Sequence, residues 1–202
     1  ACFAVEMVFD REGRKLRHKF ARGLMRSAAK LSYEQAQAAI DGVKPHDLTE
    51  TALRPLWDCW ALMFKAREKR GPLDLDLPER RVVLDEKGRI QSVAPRERLD
   101  AHKLIEDYMI AANVAAAKAL EAKKAPVMYR IHEPPSREKL VALKDYLKTF
   151  EIEFALGQVI TPATFNRLIE RLGEAEFRPQ VMEQVLRTQT QAYYAPQNQG
   201  HF

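Results

Sequence analysis

A chain of 202 residues is long enough for one large domain or two small ones. Its 46% hydrophobic and 30% charged residues place it among ordinary soluble globular proteins. The net charge of +5 favours acidic partners such as nucleic acid, although many basic proteins bind none. No apolar run approaches the length of a membrane span, and the first residues lack a signal-peptide pattern. Cys2 and Cys59 fit neither a metal site nor a disulfide framework. We therefore expect a cytoplasmic protein.

The predicted elements, in chain order, alternate short hairpins with helices. They are strands at residues 3–9 and 15–25, helices at 32–42 and 47–70, strands at 81–84 and 89–93, a helix at 97–123, a strand at 127–131, and helices at 136–149, 161–172 and 179–194. Ser32 with Gln35 forms a capping box, and Thr161-Pro162 is a typical helix start. The pattern predicts an α/β (α+β) fold that is helix-rich with short antiparallel hairpins. It shows no repeat and no clear domain boundary.

A cluster of basic residues follows the first predicted turn. Residues 11–30 contain eight lysines and arginines against a single acid, Glu12. Such a run is consistent with phosphate binding, and equally with the solvated side of a hairpin.

Common catalytic motifs are missing from the sequence: there is no Walker loop, no GxGxxG, no paired-cysteine metal site and no GxSxG. Asp74 and Asp76 are candidates for a divalent metal. Leucines alternate with these two acids, which favours a short strand or an extended arm instead. We therefore predict no metal site within the chain.

The segment 104–113, LIEDYMIAAN, places a carboxylate and an amide on one side of an apolar helix. Glu106 and Asn113 are seven residues apart, nearly two helical turns. A carboxylate among apolar side chains is unfavourable unless a polar group meets it, so this line is a candidate site. Alternatively, Glu106 is exposed to solvent and Asn113 caps a local kink.

Three further residues are candidates for binding. Tyr33 lies at a helix start near the basic run, where it could stack on a nucleobase or pack as an N-terminal staple. Arg130 and His132 share one predicted strand face directly before Pro134-Pro135. Residues at strand ends often line sites, although a structural histidine is the commoner outcome.

Four segments in this order resemble one enzyme family. They are RSAAKLSYEQ at 26–35, LIEDYMIAAN at 104–113, YRIHEPP at 129–135 and GHF at 200–202. Together they resemble the catalytic (RNB) domain of the ribonuclease R and ribonuclease II family, with a tighter likeness to bacterial ribonuclease R. The likeness extends over essentially the whole chain.

The resemblance implies a processive 3′-to-5′ exoribonuclease that uses Mg²⁺ to hydrolyse single-stranded RNA to nucleoside monophosphates. By the same resemblance, Tyr33 holds the terminal nucleotide, and Glu106 lies beside the last nucleotides. Arg130 and His132 belong to family motifs and are expected to contact RNA, without an assigned role. Neither DNA nor a membrane is an expected partner.

The resemblance also implies that residues 1–202 are the central portion of the catalytic domain, incomplete at both ends. The family's metal-binding aspartates would precede residue 1, and its catalytic arginine segment would follow residue 202. No catalytic residue and no metal ligand is therefore expected inside the chain, which alone would be inactive. Two alternatives remain, namely a non-catalytic RNA-binding module and a helical protein-interaction scaffold.

Overall fold

The computed structural model describes residues 1–73, 75, 77, 80–95 and 97–202, and the side chain of Arg81 is not described. Within these residues the chain forms helices and short strand pairs, which confirms the predicted mixed, helix-rich fold. In chain order the elements are β1 (Cys2–Phe9), β2 (Lys15–Gly23), α1 (Tyr33–Ile40), a π-helical turn (Thr49–Leu53), α2 (Arg54–Glu68), β3 (Arg80–Leu84), β4 (Ile90–Pro95), α3 (Asp100–Ala122), β5 (Tyr129–Ile131), α4 (Arg137–Lys148), α5 (Pro162–Leu172), α6 (Arg178–Thr188) and β6 (Tyr193–Ala195).

The strands form three two-stranded sheets, β1-β2, β3-β4 and β5-β6. The first is the longest, and its antiparallel register pairs Cys2 with Gly23 at one end and Phe9 with Lys15 at the other. The β5-β6 pair is antiparallel as well, with Arg130 opposite Tyr194.

The β1-β2 and β3-β4 turns share the sequence Asp-x-x-Gly-Arg and the same hydrogen bonds. The Asp10 carboxylate accepts from the amide of Arg14, and the Asp85 carboxylate accepts from the amide of Arg89, each at 2.8 Å. The turn glycines, Gly13 and Gly88, have φ angles of +76° and +74°. Residues with a Cβ rarely adopt such a φ, which explains a glycine at this position in both turns.

The described chain divides into two compact units, although the sequence shows no boundary. The first comprises residues 1–70 and 81–124, and the second comprises residues 71–80 and 125–202. The first unit contains α1, α2, α3 and the two longer hairpins, and Trp60, Met63 and Leu104 are among its buried side chains.

The second unit has a larger apolar core. Helices α4, α5 and α6 pack around Phe165, which is fully buried. The core cluster consists of Leu140, Leu143, Leu147, Phe154, Phe165, Leu168, Leu172, Val181 and Val185. These side chains recur at helical spacing, as expected for the inward faces of amphipathic helices.

The structure corrects several predicted boundaries. The helix predicted at residues 179–194 ends at Thr188, because Gln189 is extended and Tyr193–Ala195 pairs with β5 instead. The helix predicted from residue 47 begins with the π-helical turn, and Pro55 lies in the first turn of α2 rather than at a kink. The long helix starts at Asp100, three residues later than predicted.

Among the residues that the structure describes, no helix combines the length and the apolar character that crossing a membrane requires.

Candidate functional site

Tyr33 is the first residue of α1, and a capping box fixes this end of the helix. The Ser32 hydroxyl accepts from the Gln35 amide at 3.2 Å, and the Gln35 side chain accepts from the Ser32 amide at 2.8 Å. These bonds satisfy backbone donors that a helix start otherwise leaves unpaired. The tyrosine side chain is thereby set at a defined position, and 42% of it is exposed.

The Tyr33 ring stacks on the imidazole of His102. Their centroids are 4.2 Å apart and their planes differ by 25°. His102 is itself held at the start of α3, where its Nδ1 accepts from the Leu99 amide at 3.2 Å. The Gln37 side chain accepts from the Ala101 amide at 3.0 Å and so ties α1 to the same end of α3. The stack is therefore a fixed platform that remains partly open to solvent.

Glu106 lies one turn beyond His102 on α3, on the same side of the helix. Its carboxylate accepts from Arg67 at 3.3 Å and from Arg98 at 3.0 Å. The side chain is 42% exposed. Glu106 is thus a half-exposed acid held between two guanidinium groups, and neither a free surface residue nor a buried charge.

Asp107, the neighbouring acid, is the buried one. Its side chain is 6% exposed, and it accepts from the Trp60 indole at 2.9 Å and from Arg67 at 2.8 Å. A buried carboxylate is tolerated when it is paired and hydrogen-bonded, and Asp107 meets both conditions. Glu106 was a candidate from the sequence, whereas Asp107 was not.

The pKa values of Arg67 and Tyr108 are both shifted, for different reasons. Burial alone would lower the pKa of Arg67, but the charges of Asp107 and Glu106 outweigh that effect, so its pKa is raised. Burial raises the pKa of Tyr108, and its contact with Cys59 adds to the shift. The Tyr108 hydroxyl donates to the Leu56 carbonyl at 3.0 Å and thereby joins α3 to α2.

The apolar surroundings predicted for the Glu106 and Asn113 line are only partly buried. Ala115 is buried, but Ile105, Met109 and Leu120 are exposed, and so is Asn113. The buried side of α3 lies instead around Leu104, Asp107 and Ala115. The buried side of the helix therefore does not include the line of Glu106 and Asn113.

Arg130 lies on β5 in the second unit, and its side chain is exposed. Its guanidinium stacks over the Tyr194 ring of β6 at 4.9 Å from the ring centroid. Such a cation–π contact orients the guanidinium while leaving its N–H donors available.

His132 follows β5, and its ring contacts two backbone carbonyl groups. Nδ1 is 3.1 Å from the Phe202 oxygen, and Nε2 is 2.8 Å from the Thr190 oxygen. The half-buried imidazole thus links three separate segments of the second unit.

The four predicted site residues fall into two groups. Tyr33 and Glu106 belong to the first unit, where Tyr33 stacks on His102 and Glu106 lies one turn further along α3. Arg130 and His132 belong to the second unit. Three neighbouring residues were not predicted from the sequence, namely His102, Arg67 and Arg98. The spacing of four residues between His102 and Glu106 is a signal that could have identified His102.

The described residues contain no group of three or more His, Cys, Asp or Glu side chains arranged to hold a metal ion. Glu106 and Asp107 are adjacent, but both carboxylates are already bound by guanidinium groups. They therefore do not fit a Mg²⁺ ion. Asp74 and Asp76 lie outside the described residues.

Comparison with known proteins decides the family. The model of the family described as RNB domain matches residues 1–202. The chain belongs to the RNB domain family. This match confirms the family resemblance seen in the sequence, over residues 1–202.

Bacterial relatives of this RNB chain carry the name ribonuclease R. The chain is 36% identical to ribonuclease R of Aquifex aeolicus over 208 residues, covering 99% of this chain and 29% of the relative. It is 32% identical to ribonuclease R of Escherichia coli over 207 residues, covering 100% of this chain and 25% of the relative. The chain thus spans between a quarter and a third of the length of these relatives.

A solved structure supports the same fold. Mycoplasma genitalium RNase R in complex with double-stranded RNA superposes with a TM-score of 0.88 at 25% identity. The match covers 99% of this chain and 37% of that one.

Proposed function

We propose that this RNB chain is the central portion of the catalytic domain of a ribonuclease R-like enzyme. That enzyme is a processive 3′-to-5′ exoribonuclease that hydrolyses single-stranded RNA to nucleoside monophosphates. The family match, the relatives named ribonuclease R and the RNA-bound structural neighbour support it. The observation that carries the proposal is the partly exposed Tyr33 ring, held in place by its stack on His102.

In this proposal the RNA end is recognised by stacking. A nucleobase packs on the open part of the Tyr33 ring, a contact worth about 1–3 kcal/mol per base that tolerates every base. Because His102 supports the tyrosine, little side-chain entropy is lost when the base binds.

Glu106 is proposed to position the sugar next to the stacked base. Its carboxylate accepts hydrogen bonds, and ribose carries a 2′-hydroxyl donor that DNA lacks. Arg67 and Arg98 offset its negative charge, which reduces repulsion of the nearby phosphates.

The first hairpin supplies a basic surface for phosphates. Its arginine and lysine side chains are exposed, apart from the half-buried Lys15. Phosphate contacts of this kind act on any sequence and weaken with salt. The exposed guanidinium of Arg130 offers the same chemistry in the second unit, and His132 is proposed to keep its neighbouring backbone in place.

Hydrolysis itself is assigned to groups outside this stretch. The proposed Mg²⁺ would be held by carboxylates of the longer enzyme, because Glu106 and Asp107 are engaged with arginines. A cytoplasmic location, without DNA or a membrane as partner, belongs to the same proposal.

The decisive experiment replaces Tyr33 in the full-length enzyme. If Tyr33 holds the last base, Tyr33→Ala changes the length at which digestion of short single-stranded RNA stops, whereas Tyr33→Phe preserves the ring and the wild-type end products. End products resolved on a sequencing gel give the readout. Identical products from all three enzymes would refute the assignment.

A binding measurement separates the enzyme from its alternatives. An enzyme or an RNA-binding module binds single-stranded RNA with an affinity that falls as salt rises. Absence of binding at low salt would favour the interaction scaffold. Binding without any hydrolysis by the full-length protein would favour the non-catalytic module.

A further inference from the structure

A cavity of about 610 Å³ lies within the first unit, apart from the Tyr33 stack. Its walls are the turn between β1 and β2, the C-terminal half of α2, and α3 from Asp107 to Lys118. Lys118 is sixteen residues beyond His102, about 24 Å along the helix axis at 1.5 Å per residue. The far end of the cavity is thus well separated from the proposed base platform.

The cavity has an apolar floor and a cationic rim. The floor includes the side chains of Phe9, Met63, Ile110 and Val114. Lysine and arginine side chains from all three walls surround it, together with the carboxylates of Glu12 and Asp107. The volume lies within the range of roughly 300–1,000 Å³ that is usual for small-ligand sites, and the many cations favour an anionic ligand.

Among the described residues, Lys15 and Lys118 are rim cations without an acidic partner. Arg67 is paired with Asp107, but no carboxylate of a described residue lies within ion-pair distance of Lys15 or Lys118. The Lys15 ammonium instead meets the Nδ1 atom of His18 at 3.1 Å. Burial, together with repulsion from Lys118, lowers the pKa of Lys15. A negative ligand between the two lysines would relieve this repulsion.

A close contact of the backbone fixes this arrangement. A Cβ atom at Gly13 would lie 2.1 Å from the Leu62 carbonyl oxygen of α2, so the turn packs directly on the helix backbone. This packing fixes the start of β2 and hence the position of Lys15 against α3. The Lys15 side of the cationic rim is therefore preorganised.

We propose that this cavity binds a nucleoside monophosphate, with the phosphate between Lys15 and Lys118 and the nucleoside on the apolar floor. The phosphate matches the unpaired lysines, and the flat base matches the floor around Ile110 and Val114. Only the choice of a nucleotide as ligand rests on the proposed function, because the proposed exoribonuclease reaction releases nucleoside monophosphates. The site would let the enzyme sense its own product at a distance from the RNA end.

The test is titration calorimetry of the full-length protein with adenosine 5′-monophosphate at 150 mM salt. The double variant Lys15→Met/Lys118→Met keeps the aliphatic side chains and removes both charges. We expect its Kd to rise by about tenfold or more, because charge-assisted hydrogen bonds are lost. Lys44→Met, which removes an exposed lysine outside the cavity, leaves the Kd unchanged.

Three results would overturn the proposal. The first is undetectable binding to the wild-type protein, and the second is an unchanged Kd in the double variant. The third is loss of binding in Tyr33→Ala, which would place the nucleotide at the RNA end instead. Thermal melting of each variant verifies that it is folded.

Two further probes define the ligand class. Adenosine and inorganic phosphate are each expected to bind at least about tenfold more weakly than the monophosphate, because each makes only part of the contacts. Equal affinity for inorganic phosphate would reduce the site to a simple anion site and contradict the nucleotide assignment. RNA digestion by Tyr33→Ala tests the proposed function separately, so the two failures are distinguishable.

Discussion

The two units of this chain are stabilised by different kinds of interior. The second unit is built around an apolar cluster with Phe165 at its centre. The first unit buries fewer large apolar side chains and places a charged network of Trp60, Arg67 and Asp107 at the meeting of α2 and α3. The stacked tyrosine, the paired acids and the cationic cavity all belong to this first unit.

The two interiors should respond differently to substitution. An apolar core is destabilised mainly by the loss of buried side-chain volume. A protein with a buried ion pair is strongly destabilised when one partner is removed, because the other charge is left buried and unpaired. Volume should therefore determine the stability of the second unit, and hydrogen bonding and charge that of the first. The first two of the following four predictions test this difference, and the last two concern turns of the first unit; they run from the largest expected effect to the smallest.

Phe165→Ala should produce the greatest loss of stability. Removing a fully buried aromatic ring lowers the free energy of unfolding by about 3–5 kcal/mol. Hydrogen exchange followed by mass spectrometry should show the loss of protection in α4, α5 and α6. If helices α2 and α3 lost as much protection as these three, the two interiors would not be independent.

Asp107→Ala should come next, at about 3 kcal/mol, because Arg67 and the Trp60 indole lose their buried acceptor. Glu106→Ala is the matched control on the adjacent residue. Its half-exposed ion pairs contribute less than about 1 kcal/mol. Denaturant unfolding gives both values, and equal losses would contradict the distinction between the two acids.

Gly13→Ala and Gly88→Ala compare two turns of the same sequence pattern. Both variants place a side chain at positive φ, which costs about 1 kcal/mol. Only Gly13 lies against the α2 backbone, since a Cβ at Gly88 meets nothing within 4 Å. We expect Gly13→Ala to lower the melting temperature clearly more than Gly88→Ala, and equal shifts would argue against this packing.

The smallest effect concerns pH at the β1-β2 turn. Hydrogen bonds from the Arg14 amide and side chain lower the pKa of Asp10 below 3.8 in the folded chain. The ionised Asp10 carboxylate therefore stabilises the folded chain fully above pH 3.8. This contribution is lost as the pH falls through the pKa that Asp10 has in the folded chain, which lies below 3.8. Exchange of the β1 and β2 amides should accelerate over that range, and Asp10→Asn should remove the pH dependence. If amide exchange in Asp10→Asn kept the same pH dependence as in the wild type, a group other than Asp10 would be responsible for it.

Local signals predicted most of the fold. The Ser32 capping box, the Thr161-Pro162 start and the Asp-x-x-Gly turns act within a few residues, so their positions were identified from the sequence. The end of α6 was not, because Tyr193 and Tyr194 continue an amphipathic pattern. Their extended form depends on pairing with β5, more than sixty residues earlier in the chain.

The candidate site was predicted less completely for the same reason. Tyr33 and Glu106 were proposed as site residues from the family resemblance, and their surroundings depend on partners distant in sequence. His102 is far from Tyr33 along the chain, and Arg67 is forty residues from Asp107. No local pattern indicates which of two adjacent acids turns inward, since this depends on where α2 packs.

Helix α3 also has a mechanical consequence. It is a continuous helix of 23 residues, with His102 in its first turn and Lys118 in its last third. A change in the distance between these two residues would require stretching the backbone hydrogen bonds of the helix. A shift of α3 along its axis would therefore move the tyrosine stack and the lysine end together.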